Sequence, residues 1–372
     1  MTKELNRNSY LNKNKGNYPE KIGIAGQVYE KVEDLRYGTN PHQTAAFYKP
    51  EGKSSPIGGM KILKTGKSGL SQTNLEDICY YLNIVKFFSR PACAVMKHVN
   101  PSGVAVQISD ESLKEVYVKA RDCDSRAAFG SVVVFNRKVD AETADEIMST
   151  FVECVVAPAF THDALKVFND SEKFKLNKHI RIILCGDLSS IPAFVGDNTE
   201  GYETIKVLAD GSLIIAQPLL TNVRGPSDLK PAEAESKTLG YVKSKFSATD
   251  TQMNDLVSAW YVNINVRSNG VVIMKNGQTL SVGTGEQDRV GAIEQAIAKF
   301  HAKYGGKETI DGAVMASDGF FPFPDGIEVA AKAGIKAIVS PPGSIKDAEV
   351  IAKANELSVA LYHAPERIFS HH

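Results

Sequence analysis

Short unbroken apolar runs alternate with longer amphipathic stretches along most of the chain. Residues Ala92–Met96 and Val132–Phe135 are runs of small or apolar side chains, a pattern that predicts buried strands. Between about Asn74 and Phe88, apolar residues recur near a helical period, which predicts an amphipathic helix. Because strands and helices alternate in this way through both halves of the chain, we predict an α/β fold built in layers.

The length of the chain points to more than one lobe. A chain of 372 residues is too long for one ordinary hydrophobic core. Polar and turn-forming residues become frequent between about Leu184 and Thr204, so we expect a first lobe at residues 21–195 and a second at 196–372, including a helical connector at about 225–255. Both lobes follow the order helix, strand, turn, strand, helix, which indicates a duplicated architecture. Residues 1–20 are rich in Asn and Lys and are expected to form a flexible tail.

Charge and cysteine content exclude several classes of protein. The formal net charge is zero, whereas proteins that bind nucleic acid or membrane surfaces are usually basic. The five cysteines are widely spaced and form no Cys-x-x-Cys pair, so neither a disulfide framework nor a metal site is expected. The sequence has no apolar run of transmembrane length and no secretory signal. We therefore expect a cytoplasmic protein that binds small molecules.

A Lys–His pair at the end of the first apolar run is the strongest candidate for chemistry. Lys97 and His98 follow the predicted strand and precede the turn-forming residues Asn100–Gly103, and open α/β sheets bind ligands at strand ends. The Lys97 ammonium disfavours a protonated imidazole beside it, so a neutral His98 is a candidate general base and Lys97 a candidate oxyanion stabiliser. On its own, such a pair is more often structural, with a solvated Lys and a His bonded to a backbone carbonyl.

Further polar clusters lie in loops next to predicted strands. An Arg beside a Tyr offers a fixed cation and an aromatic face, which suit a phosphate and a ring. A carboxylate at the start of a strand can accept hydrogen bonds from ribose hydroxyls, and aromatic loop residues can stack on a heterocycle. The clusters are Arg36 with Tyr37, Phe129–Gly130 with Glu153, Asn269 with Arg289, the loop Phe320–Asp325, and Arg367 with His371.

Seven sequence motifs together carry a family resemblance. They are LRYGTNPHQ, KHVNPSGVAV, AAFGSVVVFNR, RSNGVV, GTGEQDRV, SDGFFPFPDG and RIFSHH. In this order, over about residues 33–372, they resemble the AICAR transformylase part of bifunctional purine-biosynthesis enzymes. The resemblance implies two tandem cytidine-deaminase-like lobes, each with three α/β/α layers, in a homodimer with shared active sites. It also implies formyl transfer from 10-formyltetrahydrofolate to the 5-amino group of AICAR, a late step of purine biosynthesis.

The resemblance further implies roles for individual positions. Relatives also hold a structural monovalent cation such as K+, whose ligands this sequence does not identify. Arg36 and Tyr37 are expected to reach the nucleotide of the neighbouring subunit. The implied catalytic residues are Lys97, His98, Asn269 and His371; the implied AICAR-binding residues are Arg36, Tyr37, Phe129, Gly130, Glu153, Phe320 and Arg367; and the implied folate contacts are Arg289, Val290, Pro322 and Asp325.

Two departures from the family pattern bear on the expected function. Relatives usually carry an N-terminal IMP cyclohydrolase domain, and too few residues precede Leu35 for one. We therefore expect a monofunctional transformylase and a separate cyclohydrolase in the same cell. Pro324 stands where most relatives have Arg, which removes a charge near the folate and leaves open another formyl donor, such as formyl phosphate. A catalytically silent nucleotide-binding regulatory protein is the other alternative, disfavoured because all the implied catalytic residues are present.

Overall fold

The structure, a computed structural model, describes residues 13, 15–53, 55–66, 69–304, 306 and 308–371. Most of the tail expected at residues 1–20 lies outside this part. The strands are β1 (Lys21–Ile24), β2 (Gln27–Asp34), β3 (Ala46–Pro50), β4 (Lys61–Lys64), β5 (Ala92–Lys97), β6 (Asn100–Val106), β7 (Ser131–Phe135), β8 (Val152–Ala157), β9 (Arg181–Leu184), β10 (Thr204–Val207), β11 (Leu213–Ala216), β12 (Lys230–Pro231), β13 (Glu233–Ser236), β14 (Gly240–Lys243), β15 (Val271–Lys275), β16 (Gln278–Gly283), β17 (Val314–Ser317), β18 (Ala337–Ser340) and β19 (Ala360–His363). The helices are α1 (Gln72–Val85), α2 (Leu113–Asp122), α3 (Ala141–Met148), α4 (His162–Asn169), α5 (Asp250–Asn263), α6 (Arg289–Lys299), α7 (Asp325–Ala333) and α8 (Asp347–Glu356).

One compact unit combines the described parts of Met1–Lys86, Gly130–Pro192 and Gly196–Pro218. Its main sheet has the order β7-β8-β9-β4, in which β7, β8 and β9 are parallel and β4 is antiparallel to β9. Helices α3 and α4 connect the parallel strands. Every residue of β7 is buried, as expected for a parallel strand covered on both faces. The predicted α/β alternation is confirmed in this unit.

The second unit combines Phe87–Phe129, Ala193–Val195 and Leu219–His372. Its sheet has the order β12-β19-β18-β17-β15-β16-β6-β5, in which β17, β18 and β19 are parallel and the other neighbours are antiparallel. Side chains of α6, α7 and α8 form one core with this sheet, for example Ile293, Ile327 and Ile351 against Ile273 and Leu361. This core holds α6 and α7, whose first turns carry the predicted site residues Arg289, Val290 and Asp325.

The hairpin β5–β6 differs from the sequence prediction at its turn. We expected the turn at Asn100–Gly103, but β6 already begins at Asn100. The two-residue loop is His98–Val99, and Lys97 pairs with Asn100 to close it. The register shifts between Val95, which pairs with Gly103, and Met96, which pairs with Pro101. Ser102 is thus the extra residue of a bulge, and its hydroxyl donates a hydrogen bond to the Val95 carbonyl at 2.7 Å. The prediction was wrong because Asn-Pro-Ser-Gly has turn chemistry, whereas here these residues form a bulged strand.

The connector expected to be helical at about 225–255 contains strands β13 and β14. Apart from a short 3-10 helix at Pro226–Asp228, the helical prediction is wrong up to Thr249, which caps α5 in a capping box with Gln252. In this segment Ala234 and Val242 are half-buried against the core of the second unit, while neighbouring charged residues are exposed. That alternation is the period of a strand with one covered face.

The two compact units also differ from the predicted lobes. The segment Phe87–Phe129 belongs to the second unit, although the sequence analysis placed it in the first lobe. The division into two duplicated lobes therefore stays a prediction from element order. In the part of the chain that the structure describes, the helices include none with the length and apolarity needed to cross a bilayer.

Candidate active site

Lys97 and His98 lie at the tip of the β5–β6 hairpin of the second unit. Five of the six β5 residues are fully buried, while Lys97 is half-buried and His98 is exposed. Both loop residues have positive φ, +79° at His98 and +56° at Val99. The Lys97 Nζ donates to the Phe129 carbonyl at 3.3 Å. The hairpin thus presents an ammonium and an imidazole side by side at the end of a buried strand.

Asn100 connects this tip to the segment that precedes Asn269. Its Nδ2 donates to the His98 carbonyl at 3.2 Å. Its Oδ1 accepts from the Arg267 backbone N–H at 3.1 Å and from the Thr284 hydroxyl at 2.8 Å. One amide side chain therefore holds the backbone of His98 in a fixed relation to two other loops of the same unit.

Asn269 lies between the loop that follows β16 and the C-terminal segment. Its Nδ2 donates to the Glu286 carbonyl at 2.9 Å, and the Ser268 N–H donates to the Ser370 carbonyl at 3.0 Å. The Gly285 N–H donates to the Arg267 carbonyl at 3.0 Å. Segments that are distant in sequence but carry Asn269 and His371 therefore meet within the second unit.

Arg289 is a buried cation that contacts the segment carrying Asn269. It is 5% exposed and pairs with the buried carboxylate of Asp318, and its Nη1 also donates to the Gly270 carbonyl at 3.2 Å. Asp318 in turn accepts from the Gly270 N–H at 2.9 Å. The pair thus clamps the residue after Asn269. The Arg289 Nε is buried without a hydrogen-bond partner.

Arg367 and His371 flank the ring of Phe369. The Arg367 guanidinium carbon lies 4.3 Å from the Phe369 ring centroid, and the His371 ring lies 5.9 Å from it in an edge-on arrangement. Phe369 also packs against Gly319, where an added Cβ would lie 2.6 Å from the ring. The C-terminal segment is thereby placed against the loop that begins with Phe320, a side chain that is 36% exposed.

The remaining folate candidates lie at the starts of two helices that pack together. Val290 is half-buried in the first turn of α6. Pro322 and Asp325 are exposed at the start of α7, where Pro324 is the N-cap residue and its carbonyl accepts from the backbone of Ile327 at 3.0 Å. Because Pro324 begins the helix and offers no side-chain donor, it contributes rigidity to this loop rather than charge.

In the first unit, two arginines and an acid form a separate cluster. Arg36 is 9% exposed and stacks at 4.6 Å on the ring of Tyr37. Burial, together with the nearby Arg181 guanidinium, lowers the pKa of Arg36, and its Nε has no hydrogen-bond partner. Glu153, on β8, lies 4.0 Å from Arg181 and accepts from the Asn74 amide at 3.4 Å. A concentrated positive charge beside a carboxylate suits an anion that also carries hydroxyl groups.

Gly130 directly precedes β7 of the same unit. Its φ is +72°, in a region that favours glycine, and its N–H donates to the Phe151 carbonyl at 2.7 Å. Phe129, the last residue of a segment of the second unit, has an exposed ring, 58% accessible.

A cavity of about 300 Å³ opens beside the Lys–His tip in the second unit. Besides Lys97 and His98, its lining includes Lys299, Lys303 and Asp124. Lys303 pairs with Asp124, and Lys299 donates to the Val282 carbonyl at 3.0 Å. Burial and the Lys303 ammonium lower the pKa of Lys299. The tip therefore borders a polar, mainly cationic pocket.

Sequence reasoning missed several residues that organise these clusters. Asn100 was interpreted as a turn residue. Arg181 directly precedes an apolar run and Asp318 directly follows one, and a charged side chain at such a position indicates a buried partner. Cys93, Cys154 and Cys185 are buried among the apolar residues of the strands and their ends. Among the described residues, no group of three His, Cys, Asp or Glu side chains could hold a metal ion.

Comparisons with known proteins place the chain among relatives. The model of the family described as AICARFT/IMPCHase bienzyme matches residues 5–299. The bifunctional purine biosynthesis protein PurH of Oceanobacillus iheyensis is 37% identical over 364 residues, which cover 98% of this chain and 64% of that protein. The protein of the same name from Clostridium botulinum is 38% identical over 354 residues, covering 95% and 61% respectively. The chain thus spans less than two thirds of the length of these relatives.

Among solved structures, the dCMP deaminase from the cyanophage S-TIM5, in apo form, matches at 25% identity. The match covers 25% of this chain and 76% of that chain. Its TM-score is 0.19, which is too low to support an argument about the fold.

Proposed function

Because the chain belongs to the AICARFT/IMPCHase bienzyme family, we propose that it transfers a formyl group from 10-formyltetrahydrofolate to the 5-amino group of AICAR. The relatives that it matches are named as purine biosynthesis proteins, and this reaction belongs to that pathway. The observation that carries the proposal is the family match over a chain that places Lys97 and His98 together at an accessible hairpin tip.

The proposed chemistry assigns the proton transfers to this tip. The 5-amino group of AICAR is a poor nucleophile, because its lone pair is delocalised into the ring. His98 removes a proton from this amine while the new C–N bond forms. Lys97 stabilises the oxyanion on the formyl carbon and supplies a proton to the folate nitrogen as its bond to that carbon breaks. Asn269, held by the Glu286 carbonyl, orients the carboxamide of AICAR.

The nucleotide portion of AICAR is proposed to bind through cations and one acid. Arg367 and, from the neighbouring subunit, Arg36 are proposed to bind the phosphate, since both carry a guanidinium stacked on an aromatic ring and thus held in one orientation. Glu153 accepts hydrogen bonds from ribose hydroxyls. The other proposed contacts to AICAR are Tyr37, Phe129, Gly130, Phe320 and, as a further catalytic residue, His371.

The folate is proposed to contact the starts of α6 and α7. Val290, Pro322 and Asp325 lie there, and Gly326 beside Asp325 packs against Ile293 of α6. Because Arg289 is buried, it is proposed to support the folate site indirectly, through its hydrogen bond to the Gly270 carbonyl. Because Pro324 offers no cation at the helix start, formyl phosphate is kept as an alternative donor. The monovalent cation implied by the resemblance has no assigned ligands and enters no step.

The assembly and the finer fold are part of the proposal. We propose a homodimer with shared active sites, and two tandem lobes of the cytidine-deaminase type within each chain. The family match supports both proposals, and the α/β architecture of each unit further supports the proposed lobes. Analytical ultracentrifugation of the purified chain tests the dimer.

The role of His98 is tested by its replacement with alanine. His98→Ala should lower kcat by roughly a hundredfold or more, the usual effect of losing an acid–base group. The dissociation constant of AICAR should change much less, because the phosphate and ribose contacts remain. Near-normal turnover by this variant would exclude the assigned role. Arg367→Ala is the complementary variant, expected to weaken AICAR binding rather than the chemical step.

A further inference from the structure

The second unit contains two hairpins whose loop residues all have positive φ but whose loop sequences differ. In β5–β6 the loop is His98–Val99, with φ of +79° and +56°; in β15–β16 it is Asn276–Gly277, with φ of +50° and +73°. Both are two-residue loops, closed by pairs at their ends. Positive φ at both loop positions is the requirement of a type I′ turn, for which Asn-Gly is the preferred sequence.

Val99 is the least suitable of the four loop residues for its backbone conformation. A β-branched residue with positive φ is a true outlier, because its Cβ substituents crowd the backbone in the left-handed region. The β15–β16 hairpin of the same unit has the loop Asn276–Gly277, whose residues suit positive φ. A two-residue loop in this sheet therefore does not require the sequence His-Val. Residues held in sparsely populated conformations cluster at functional sites, where the surrounding structure fixes them.

The neighbours of the turn hold its two ends, and the residue at position 99 decides the freedom between them. Lys97 pairs with Asn100 across the loop, and the Asn100 amide donates to the His98 carbonyl at 3.2 Å. The Asn100 Oδ1 accepts from Arg267 and Thr284, so the hairpin end is anchored on its other side. A valine inside the small left-handed region has one narrow backbone minimum and a stiff χ1, whereas glycine populates both signs of φ.

We propose that Val99 is a positioning residue that holds the His98 imidazole in one orientation, at a cost in stability. The proposal rests on the proposed function, in which His98 is the general base. Proton transfer depends on the placement of the base, and small misplacements reduce rates strongly. A turn that is optimal for stability would allow His98 to sample several orientations, so the less favourable sequence serves the reaction.

The test compares four variants by thermal unfolding and steady-state kinetics. Val99→Gly and Val99→Asn suit positive φ and should unfold at temperatures no lower than the unmodified chain, yet kcat should fall by about tenfold or more, with the KM for AICAR within about twofold. Val99→Thr keeps the β-branch and should retain kcat. Ser358→Gly is the matched control: Ser358 has φ of +57°, is exposed, and lies between α8 and β19, far along the chain from the hairpin. It should not change kcat.

Two kinetic or thermal results would overturn the proposal. One is a kcat for Val99→Gly that matches the unmodified chain. The other is a pair of results: Val99→Gly unfolds at a lower temperature, and Val99→Thr loses as much kcat as Val99→Gly does. This pair would mean that the Val99 side chain acts through packing and not through the backbone conformation.

An observation independent of turnover separates this proposal from the proposed function. The chain has eight histidines, and His98→Ala identifies the imidazole NMR signals of His98. We expect one sharp set of signals in the unmodified chain and broadened or averaged signals in Val99→Gly. If the chain shows no formyl transfer but the NMR contrast is present, the function is wrong and the positioning role stands. Identical His98 signals in both proteins would overturn the positioning role itself.

Discussion

Arg36 and Arg289 are both buried arginines, but their surroundings differ. Arg289 forms an ion pair with the buried Asp318 and a hydrogen bond to the Gly270 carbonyl, so neighbouring protein groups compensate its charge. Burial and the nearby Arg181 guanidinium lower the pKa of Arg36, and Glu153 and Tyr37 offset this only in part. A buried charge without compensation is costly to stability. Arg36 is therefore the cation whose presence is best explained by an external anion.

The first prediction at this scale concerns Arg36→Met, which removes the charge but keeps a long side chain. The ligand-free variant should unfold at the same or a higher temperature, because a buried charge that is only partly compensated is lost. Its dissociation constant for AICAR should rise by about tenfold or more, since charge-assisted bonds to a phosphate disappear. Thermal unfolding and isothermal titration calorimetry measure the two effects.

Arg181→Met is the matched control for Arg36→Met. Arg181 is itself buried, donates to the Gly69 carbonyl at 2.9 Å and lies 4.0 Å from Glu153, so its replacement removes these interactions and should lower the unfolding temperature. An AICAR affinity that is unaffected in Arg36→Met, or a clear loss of stability in that variant, would contradict the anion-binding role.

At the scale of elements, the strands and helices follow from the sequence better than the turns between them. The apolar run Ala92–Met96 and the period of α1 are strong local signals, and both elements are present. The turn of β5–β6 was not predictable, because the local preference of Asn-Pro-Ser-Gly for a turn is stronger than that of His-Val. The pairing of Lys97 with Asn100 in the sheet places the loop at His98–Val99. Likewise, the contacts of Asn100 with Arg267 and Thr284 join residues far apart in sequence, where no local pattern applies.

Lys86, the C-cap residue of α1, allows a prediction about pH and stability. Burial lowers its pKa from 10.5 to about 8, and its Nζ donates to the Pro192 carbonyl. Between about pH 8 and 10.5, the unfolded chain keeps a proton that the folded chain has released. The free energy of unfolding therefore rises with pH across this window, by at most roughly 3 kcal/mol from this group.

Lys86→Met should remove this contribution. The difference in free energy of unfolding between the variant and the unmodified chain should be largest, in favour of the variant, below about pH 8. It should shrink as the pH approaches 10.5. Urea unfolding at several pH values measures the difference, and a difference that is constant with pH would show that Lys86 is not desolvated in the folded state.

At the scale of the whole molecule, the chain comprises two compact units, each of which contributes a cluster of proposed site residues. The first unit supplies Arg36, Tyr37 and Glu153, and the second supplies the Lys97–His98 hairpin and the loops tied to it by Asn100. The α/β class could be predicted from apolar periodicity, and the family from its motifs. The assignment of Phe87–Phe129 to the second unit could not, because it depends on non-local pairing such as that of β6 with β16.

The most direct test of the account is the turnover of formyl donors by the purified chain. With AICAR present, 10-formyltetrahydrofolate should be converted to tetrahydrofolate in equal amount to formylated AICAR, as followed by absorbance and mass spectrometry. The reaction should saturate with AICAR and be far slower with formyl phosphate. If 10-formyltetrahydrofolate is not consumed in the presence of AICAR, or if formyl phosphate is the better donor, the account is contradicted.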